Sequence, residues 1–513
     1  MDSNRKSGVL LHLSSLPGSF GIGDMGPEAE RFLDFLSAAG FGAWQLLPLS
    51  LTNAVFGDSP YSSPSSFAGN TLLISPELLV EAGLLKQAEC APFCMFDGNQ
   101  VDFEQVRRSK ETLMGLAYRR FSEDSSLFGE MHEEFWDFSI TESCWLDDYA
   151  LFMILKEEFN GACWNQWPEP YRTRDSKTLM AFVNDPKLFE KMNRVRFEQF
   201  LFFTQLKRLR ELCDRYGIEL IGDLPIYVGF DSADVWSRQD LFYLDDRGNP
   251  ITVTGVPPDY FSATGQRWGN PVYRWDVMRS ESFDWWLRRF KQALRGCDLL
   301  RVDHFRGFCG YWEIPAADET AVNGWWTPGP GKSFFDAFHG SFVSEKGIFP
   351  FIAEDLGVIT SDVKELMEIF DLPGMKILQF AFGEGMEENP YIPHQHRKNS
   401  VVYTGTHDNN TTLGWWREDA GETERRNFAR YMGRTTVTDD EALSLMVRAA
   451  LGSVADLAVI PMQDVLALGG EARMNRPSVS MGNWRWRCEA ELLTPQRASH
   501  YREWNRLYGR CPR

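Results

Sequence analysis

The chain has 513 residues, 43% of them hydrophobic and 24% charged, a profile that supports a large buried core and excludes disordered, collagenous, coiled-coil and small disulfide-scaffold classes. Its 53 Lys and Arg against 72 Asp and Glu leave a net charge of −19, which argues against nucleic-acid or anionic-membrane partners and for a neutral or cationic ligand. The nine cysteines are odd in number and form no C-x-x-C pair, the apolar stretch near the start is too short for a signal peptide, and no run reaches the roughly 18 apolar residues of a membrane span, so a cytoplasmic protein is expected.

Eight apolar runs with strand-like composition follow in chain order: GVLLHL (8–13), AWQLLPL (43–49), IELIGDLPIYV (218–228), LLRVDHF (299–305), FIAEDLG (351–357), MKILQFAF (375–382), SVVYTGTHD (400–408) and LAVIPMQD (457–464). Most are followed by a stretch able to form a helix, the rhythm of repeated βα units and a parallel sheet. Runs apolar on both faces suit strands with helices outside and side chains inside, and this number of them invites closure into an α/β fold of the (β/α)8 TIM-barrel type; an open doubly wound sheet is the alternative. Two gaps are too long for simple loops. Between the second and third runs, residues 76–199 are expected to form a mainly helical insertion, with DDYALFMILKEEF (147–159) one of its helices. The amphipathic stretch 196–217 ends on Gly217 and is assigned to the barrel, giving a catalytic barrel of residues 1–75 and 200–513. Residues 229–298, rich in Gly, Pro and aromatics around VPPDYFSATGQRWGNPVYRW, are expected to be a long ordered loop region covering the active site.

Several runs end in charged residues: Asp223, Asp303 with His304, Glu354 with Asp355, His407 with Asp408, and Gln463 with Asp464. The C-terminal ends of barrel strands form the active-site face, so acids gathered there point to chemistry. Arg301 and Asp303, two apart on a strand, share a face. A guanidinium there favours the ionised carboxylate and makes Asp303 available as a nucleophile, with a plain rim ion pair as the alternative. The next run places Glu354 on a neighbouring strand, about 4.8 Å away, and a retaining glycosidase needs two carboxyl groups about 5 to 5.5 Å apart. Glu354, after three apolar residues, is the better general acid, whereas Asp355 suits a structural partner. Asp408 can stabilise an oxocarbenium-like transition state while His407 donates a hydrogen bond. His394 and His396 fit loop structure, and no metal site is expected. The 18 Trp, 15 Tyr and 38 Phe offer faces for sugar rings as well as for packing.

These motifs, together with GVLLHLSSLPG, SPYSSPSSFAGN (59–70), VPPDYFSATGQRWGNPVY and RMNRPSVSMGNWRWR (473–487), occur in the order found in the amylomaltases. The chain resembles that family nearly end to end: 4-α-glucanotransferases, also called disproportionating enzymes, of glycoside hydrolase family 77, related to the α-amylase superfamily and here similar to the short bacterial or plastid type. The resemblance implies Asp303 as nucleophile, Glu354 as general acid and base, and Asp408 as transition-state stabiliser. It further implies that Arg301, Asp223 and His407 hold the sugar at the cleavage position, that Ser59 and Tyr61 lie near the cleft, that Gln266 and Trp268 sit on a covering loop, and that Asn475 reaches in from the late motif. Ser478 stands where the family's RMNxPG pattern has Gly, which implies a different backbone path there.

The expected reaction transfers a segment of an α-1,4-glucan donor, a maltodextrin or a piece of glycogen or starch, to the 4-hydroxyl of glucose or another dextrin. It proceeds by double displacement with retention and requires no cofactor. A hydrolase of the same superfamily would share the three carboxylates, and an inactive glucan-binding barrel would share the fold.

Overall fold

Apolar runs of the sequence become the staves of a closed barrel. The structure, a computed structural model, describes residues 5–94, 98–124, 127–258, 262–342, 349–477 and 479–512. Its strands are β1 Lys6–Leu10, β2 Ala43–Gln45, β3 Glu219–Pro225, β4 Thr252–Val256, β5 Gln266–Pro271, β6 Leu299–Asp303, β7 Gly310–Pro315, β8 Trp325–Pro328, β9 Phe351–Ala353, β10 Gly374–Ile377, β11 Ser400–Tyr403 and β12 Leu457–Pro461. Eight close a parallel barrel in the order β1-β12-β11-β10-β9-β6-β3-β2, and each corresponds to one of the apolar runs. The architecture is a (β/α)8 barrel. Among the described residues no helix is long and apolar enough to cross a membrane.

The first part of each run forms the strand, and the chain turns before the run ends. The run expected over 375–382 stops pairing at Ile377 and enters the turn Leu378–Phe380, and that over 457–464 stops at Pro461 and enters the short helix Met462–Val465. Polar residues also point into the barrel where they can satisfy one another, as a buried polar group must: the Tyr403 hydroxyl donates to Gln45 Oε1 at 2.9 Å, and Arg301 lies beside Asp223 in the β3–β6 register.

In the insertion, the helix expected at 147–159 spans Ser143–Glu158. The helix expected to begin at 196 begins instead at Pro186 and runs 31 residues to Tyr216. The Asp185 side chain accepts from the backbone N–H groups of Lys187 and Leu188, and Gly217 at φ 66 closes the far end, the left-handed position that glycine takes without strain. The expected division at 199/200 therefore falls inside one continuous helix. Phe197 stacks on Phe121 of the insertion, while Arg208 pairs with Glu30 and the Tyr216 hydroxyl donates to Asp34 on the first barrel helix, Pro27–Ala39. One rigid rod thus joins insertion to barrel.

The region 229–298 is not a single loop. It holds β4 and β5, the helices Ala233–Ser237, Trp275–Ser280 and Asp284–Leu294, and part of a four-stranded antiparallel sheet ordered β5-β4-β7-β8. QRWGNP is β5, largely exposed along its length, so it lacks the apolar alternation that marks a half-buried strand. A carboxylate ties the sheet together: Glu313 accepts from the hydroxyls of Thr252 and Thr327, each at 2.7 Å.

Candidate active site

Asp223 on β3 and Arg301 on β6 are directly paired in register, and Asp303 follows two residues on, on the same face. Arg301 Nη1 donates to both Asp223 oxygens at 2.8 Å and Nη2 donates to Asp303 Oδ1 at 2.8 Å. Burial by itself would lower the Arg301 pKa, but the two carboxylates carry it well above the ordinary value. Asp223 is pushed up by burial despite Arg301, and it also accepts from the Tyr61 hydroxyl at 2.7 Å. The Asp223 side chain has no exposed surface and that of Arg301 only 4%, whereas Asp303 keeps 31%. Asp303 thus projects forward from a buried support of Asp223 and Arg301, with the half-buried Tyr61 bonded to Asp223.

Glu354 lies one residue past β9. Because Val302 pairs with Ala353, Asp303 and Glu354 are the next residues on adjacent staves. Glu354 accepts from the backbone N–H of His304 at 2.7 Å and of Leu356 at 2.8 Å. Burial, reinforced by the charge of Asp303, nevertheless pushes its pKa up to about 7. A carboxyl that still holds its proton near neutrality suits a general acid. His304 makes this contact from a left-handed backbone, φ 51, a conformation non-glycine residues adopt only when their surroundings impose it. Its ring is partly buried, and the loss of solvation lowers its pKa to about 4.

Across the barrel mouth, Asp408 Oδ1 accepts from Asn475 Nδ2 at 2.6 Å and lies 3.3 Å from His407 Nε2. The backbone N–H of Asn475 in turn donates to the His407 carbonyl. The ring of His407 stacks on Tyr61 with centroids 5.3 Å apart, and Trp484 tilts against both. Ser59 Oγ accepts from the Tyr61 N–H at 3.3 Å. The loop bearing Ser59 packs so closely on the late loop that a Cβ on Gly57 would lie 2.2 Å from the Ser480 carbonyl oxygen.

All these groups meet at one cleft of about 810 Å³, lined by Asp303, Glu354, Asp408, His407, Tyr61, Ser59, Gln266, Trp268 and Asn475. Asp223 and Arg301, expected to hold the sugar, lie behind this lining, where Asp223 bonds to Arg301 and Tyr61 and Arg301 bonds on to Asp303. Gln266 and Trp268 come from β5 and not from a loop. Trp268 stands edge-on to His304 with centroids 4.8 Å apart, and its Nε1 donates to Gln266 Oε1 at 3.2 Å. Two strand-end acids have structural partners: Asp355 accepts from the Met375 N–H, and Asp464 is wholly buried against Thr404 and Thr412. His396 is buried between Ser453 and Tyr391. Ser478 lies outside the described residues.

His304, noted at a strand end, had no role assigned, and Tyr227 and Trp484, which line the cleft with it, are not singled out by the sequence, nor is His12. His12 is buried and lines a second, smaller cavity together with His407, and its pKa is lowered to about 3, by burial and then by His407. Its place at the end of the first apolar run was the available signal.

The family model described as 4-alpha-glucanotransferase matches residues 11–493. The chain belongs to that family. It is 46% identical to the 4-alpha-glucanotransferase of Thermus thermophilus over 507 residues, covering 98% of each chain. It is 42% identical to the chloroplastic/amyloplastic 4-alpha-glucanotransferase of Arabidopsis thaliana, covering 99% of this chain and 86% of that one. Among solved structures, an amylomaltase from Streptococcus agalactiae in complex with acarbose superposes with a TM-score of 0.93 at 35% identity, covering 99% of this chain and 100% of that one.

Proposed function

We propose that this 4-α-glucanotransferase works by double displacement through Asp303 and Glu354. Asp303 attacks the anomeric carbon of an α-1,4-glucan, Glu354 gives its proton to the departing 4-oxygen, and a covalent glycosyl ester forms on Asp303. Glu354, now a carboxylate, takes the proton from the 4-hydroxyl of an incoming glucose or dextrin, whose oxygen attacks the same carbon and restores an α-1,4 bond. Asp408, held by Asn475, faces the positive charge that develops on the ring at each transition state. Asp223 and Arg301 orient Asp303, while Tyr61 and His407 form a wall against which the sugar bound at the cleavage position rests. The observation that carries this reading is the pair of unlike carboxyl groups at adjacent strand ends: Asp303 tied to a guanidinium, and Glu354 protonated up to about pH 7, both open to one cleft.

Transfer exceeds hydrolysis when an acceptor excludes water from the ester. Trp268 and Gln266, standing over His304 beside the nucleophile, support an acceptor site there. A cytoplasmic setting is part of the same reading, supported by nine free cysteines. The test is incubation with maltotriose alone: glucose plus a ladder of longer dextrins is expected, whereas glucose and maltose without a ladder would make the chain a hydrolase, and no product at all would make it a binding protein.

A further inference from the structure

Arg306 sits on the turn Phe305–Phe308, three residues past Asp303. Its Nη1 donates to the carbonyl of Val358, four residues past Glu354. Its guanidinium lies over the ring of Trp326 on β8, 3.9 Å from the centroid, a stacking geometry that a planar, delocalised cation favours. Trp326 itself meets Trp312 of β7 edge-on at 5.3 Å. The mechanism above uses neither Arg306 nor Trp326.

The loop that Arg306 grips matters to the acid. Leu356 supplies one of the two N–H groups on Glu354, and His304, on the Arg306 side, supplies the other. Two rungs therefore join the segment after β6 to the segment after β9: His304 to Glu354 at the cleft, and Arg306 to Val358 outside it. The outer rung holds an open stretch of chain, since Val358 is 76% exposed and Gly357, at φ +81, has open space where a Cβ would stand. Without the outer rung, the loop that carries the Leu356 N–H keeps the packing of Leu356 and Ile359 on the core and the contact of Gly357 with Tyr391, and loses its tie to the turn after β6.

We propose that Arg306, seated on Trp326, is a positioning residue for the acid and base step: it fixes the loop after β9 to the turn after the nucleophile, and so holds the Glu354 carboxyl in register with Asp303. The small antiparallel sheet is then a buttress for the catalytic pair as well as a wall of the cleft. This inference rests on Glu354 being the general acid and base.

The experiment compares two reactions of the full-length chain. Maltotriose turnover needs Glu354 twice, to protonate the leaving oxygen and then to deprotonate the acceptor. Fluoride release from α-maltosyl fluoride with azide as acceptor needs it for neither, because fluoride leaves as the anion and azide attacks as one, giving a glycosyl azide. Arg306→Ala is expected to lower kcat on maltotriose on the order of 10²-fold, the scale of a small misplacement of a reacting group, while the fluoride and azide reaction stays within about threefold because it bypasses proton transfer. Trp326→Ala, at a half-exposed edge-strand position, is expected to give the same imbalance with about a tenfold loss, and it carries the test if Arg306→Ala does not fold. Equal losses in both reactions at parental thermal stability, or no loss in either, would overturn the proposal. Glu354→Gln is the reference. If it does not spare the fluoride and azide reaction, the acid and base reading fails and takes this inference with it. If it does and the Arg306 and Trp326 variants do not, only this inference fails.

Discussion

Arg301→Met removes the cation that stands between two carboxylates, and the burial of those groups sets the size of the effect. Arg301 makes three hydrogen bonds to Asp223 and Asp303, with the Arg301 side chain 4% exposed and that of Asp223 not at all. Breaking a buried pair by removing one partner costs about 3–5 kcal/mol, because the remaining charge is uncompensated. With an unfolding entropy of about 2 cal/mol/K per residue, a chain of this length loses about 1 °C of Tm per kcal/mol, so a drop of about 3–5 °C is expected near neutral pH. The sign of the pH dependence follows from Asp223. Burial has already raised its pKa against the pull of Arg301, and losing Arg301 raises it further. The added penalty is absent where Asp223 is protonated both folded and unfolded. It grows as pH rises through the parent's folded value, which already lies above the ordinary aspartate value of about 4, and is complete above the variant's still higher folded value. Differential scanning calorimetry of parent and variant across that range measures the widening gap. Arg301→Met/Asp223→Asn removes the stranded charge and recovers most of it, a non-additivity expected of residues in contact. A variant with parental Tm at pH 8, or a double variant no better than the single, would show that Arg301 is not the counter-charge Asp223 depends on.

Asn475→Ala deletes the 2.6 Å donor to Asp408; a hydrogen bond to a charged group contributes about 1.5–3 kcal/mol, so kcat/KM for maltotriose falls about 10- to 150-fold, and a change below threefold would detach Asn475 from the transition state. The alkaline limb of kcat/KM reports loss of the Glu354 proton and is expected near pH 7 with maltotriose; fluoride release from maltosyl fluoride lacks that limb, and a limb common to both donors would assign it to another group. Trp268→Ala raises the ratio of hydrolysis to transfer and weakens acceptor binding several-fold, for a stacking loss of about 1 kcal/mol. New reducing ends against glucose released give the ratio, and an unchanged ratio in a stable variant would leave Trp268 as packing for His304.

The barrel was legible because its strands are buried on both sides: runs such as LLRVDHF are apolar without interruption and end in charge where the active-site face begins. The antiparallel sheet was not. TVTGV and WWTP are short, and β5 and β8 are largely exposed, so neither periodicity nor continuous apolarity marks them. The long helix was legible at Gly217 and illegible at its start, where Asp185 and Pro186 are a sound cap but the following residues LFEKMNRV carry no clean apolar stripe. In the site, the two-residue spacing of Arg301 and Asp303 correctly placed both side chains on one face. Spacing could not tell that Asp223 turns inward under Tyr61, because that depends on a loop 162 residues away in sequence. Nor could it reveal the left-handed backbone of His304, whose N–H meets Glu354 from the neighbouring strand.

The mechanism turns on a covalent bond between a sugar and Asp303, and the Glu354→Gln variant offers the means to see it. With maltosyl fluoride as donor and no azide, ester formation needs no acid, whereas its breakdown by an acceptor hydroxyl lacks the base, so the intermediate accumulates. Rapid quenching, proteolysis and mass spectrometry are expected to find one maltosyl group on the peptide containing Asp303, absent from Asp303→Asn/Glu354→Gln treated in the same way. An unmodified Asp303 peptide under conditions where fluoride is released stoichiometrically, or a maltosyl group on any other side chain, would contradict it.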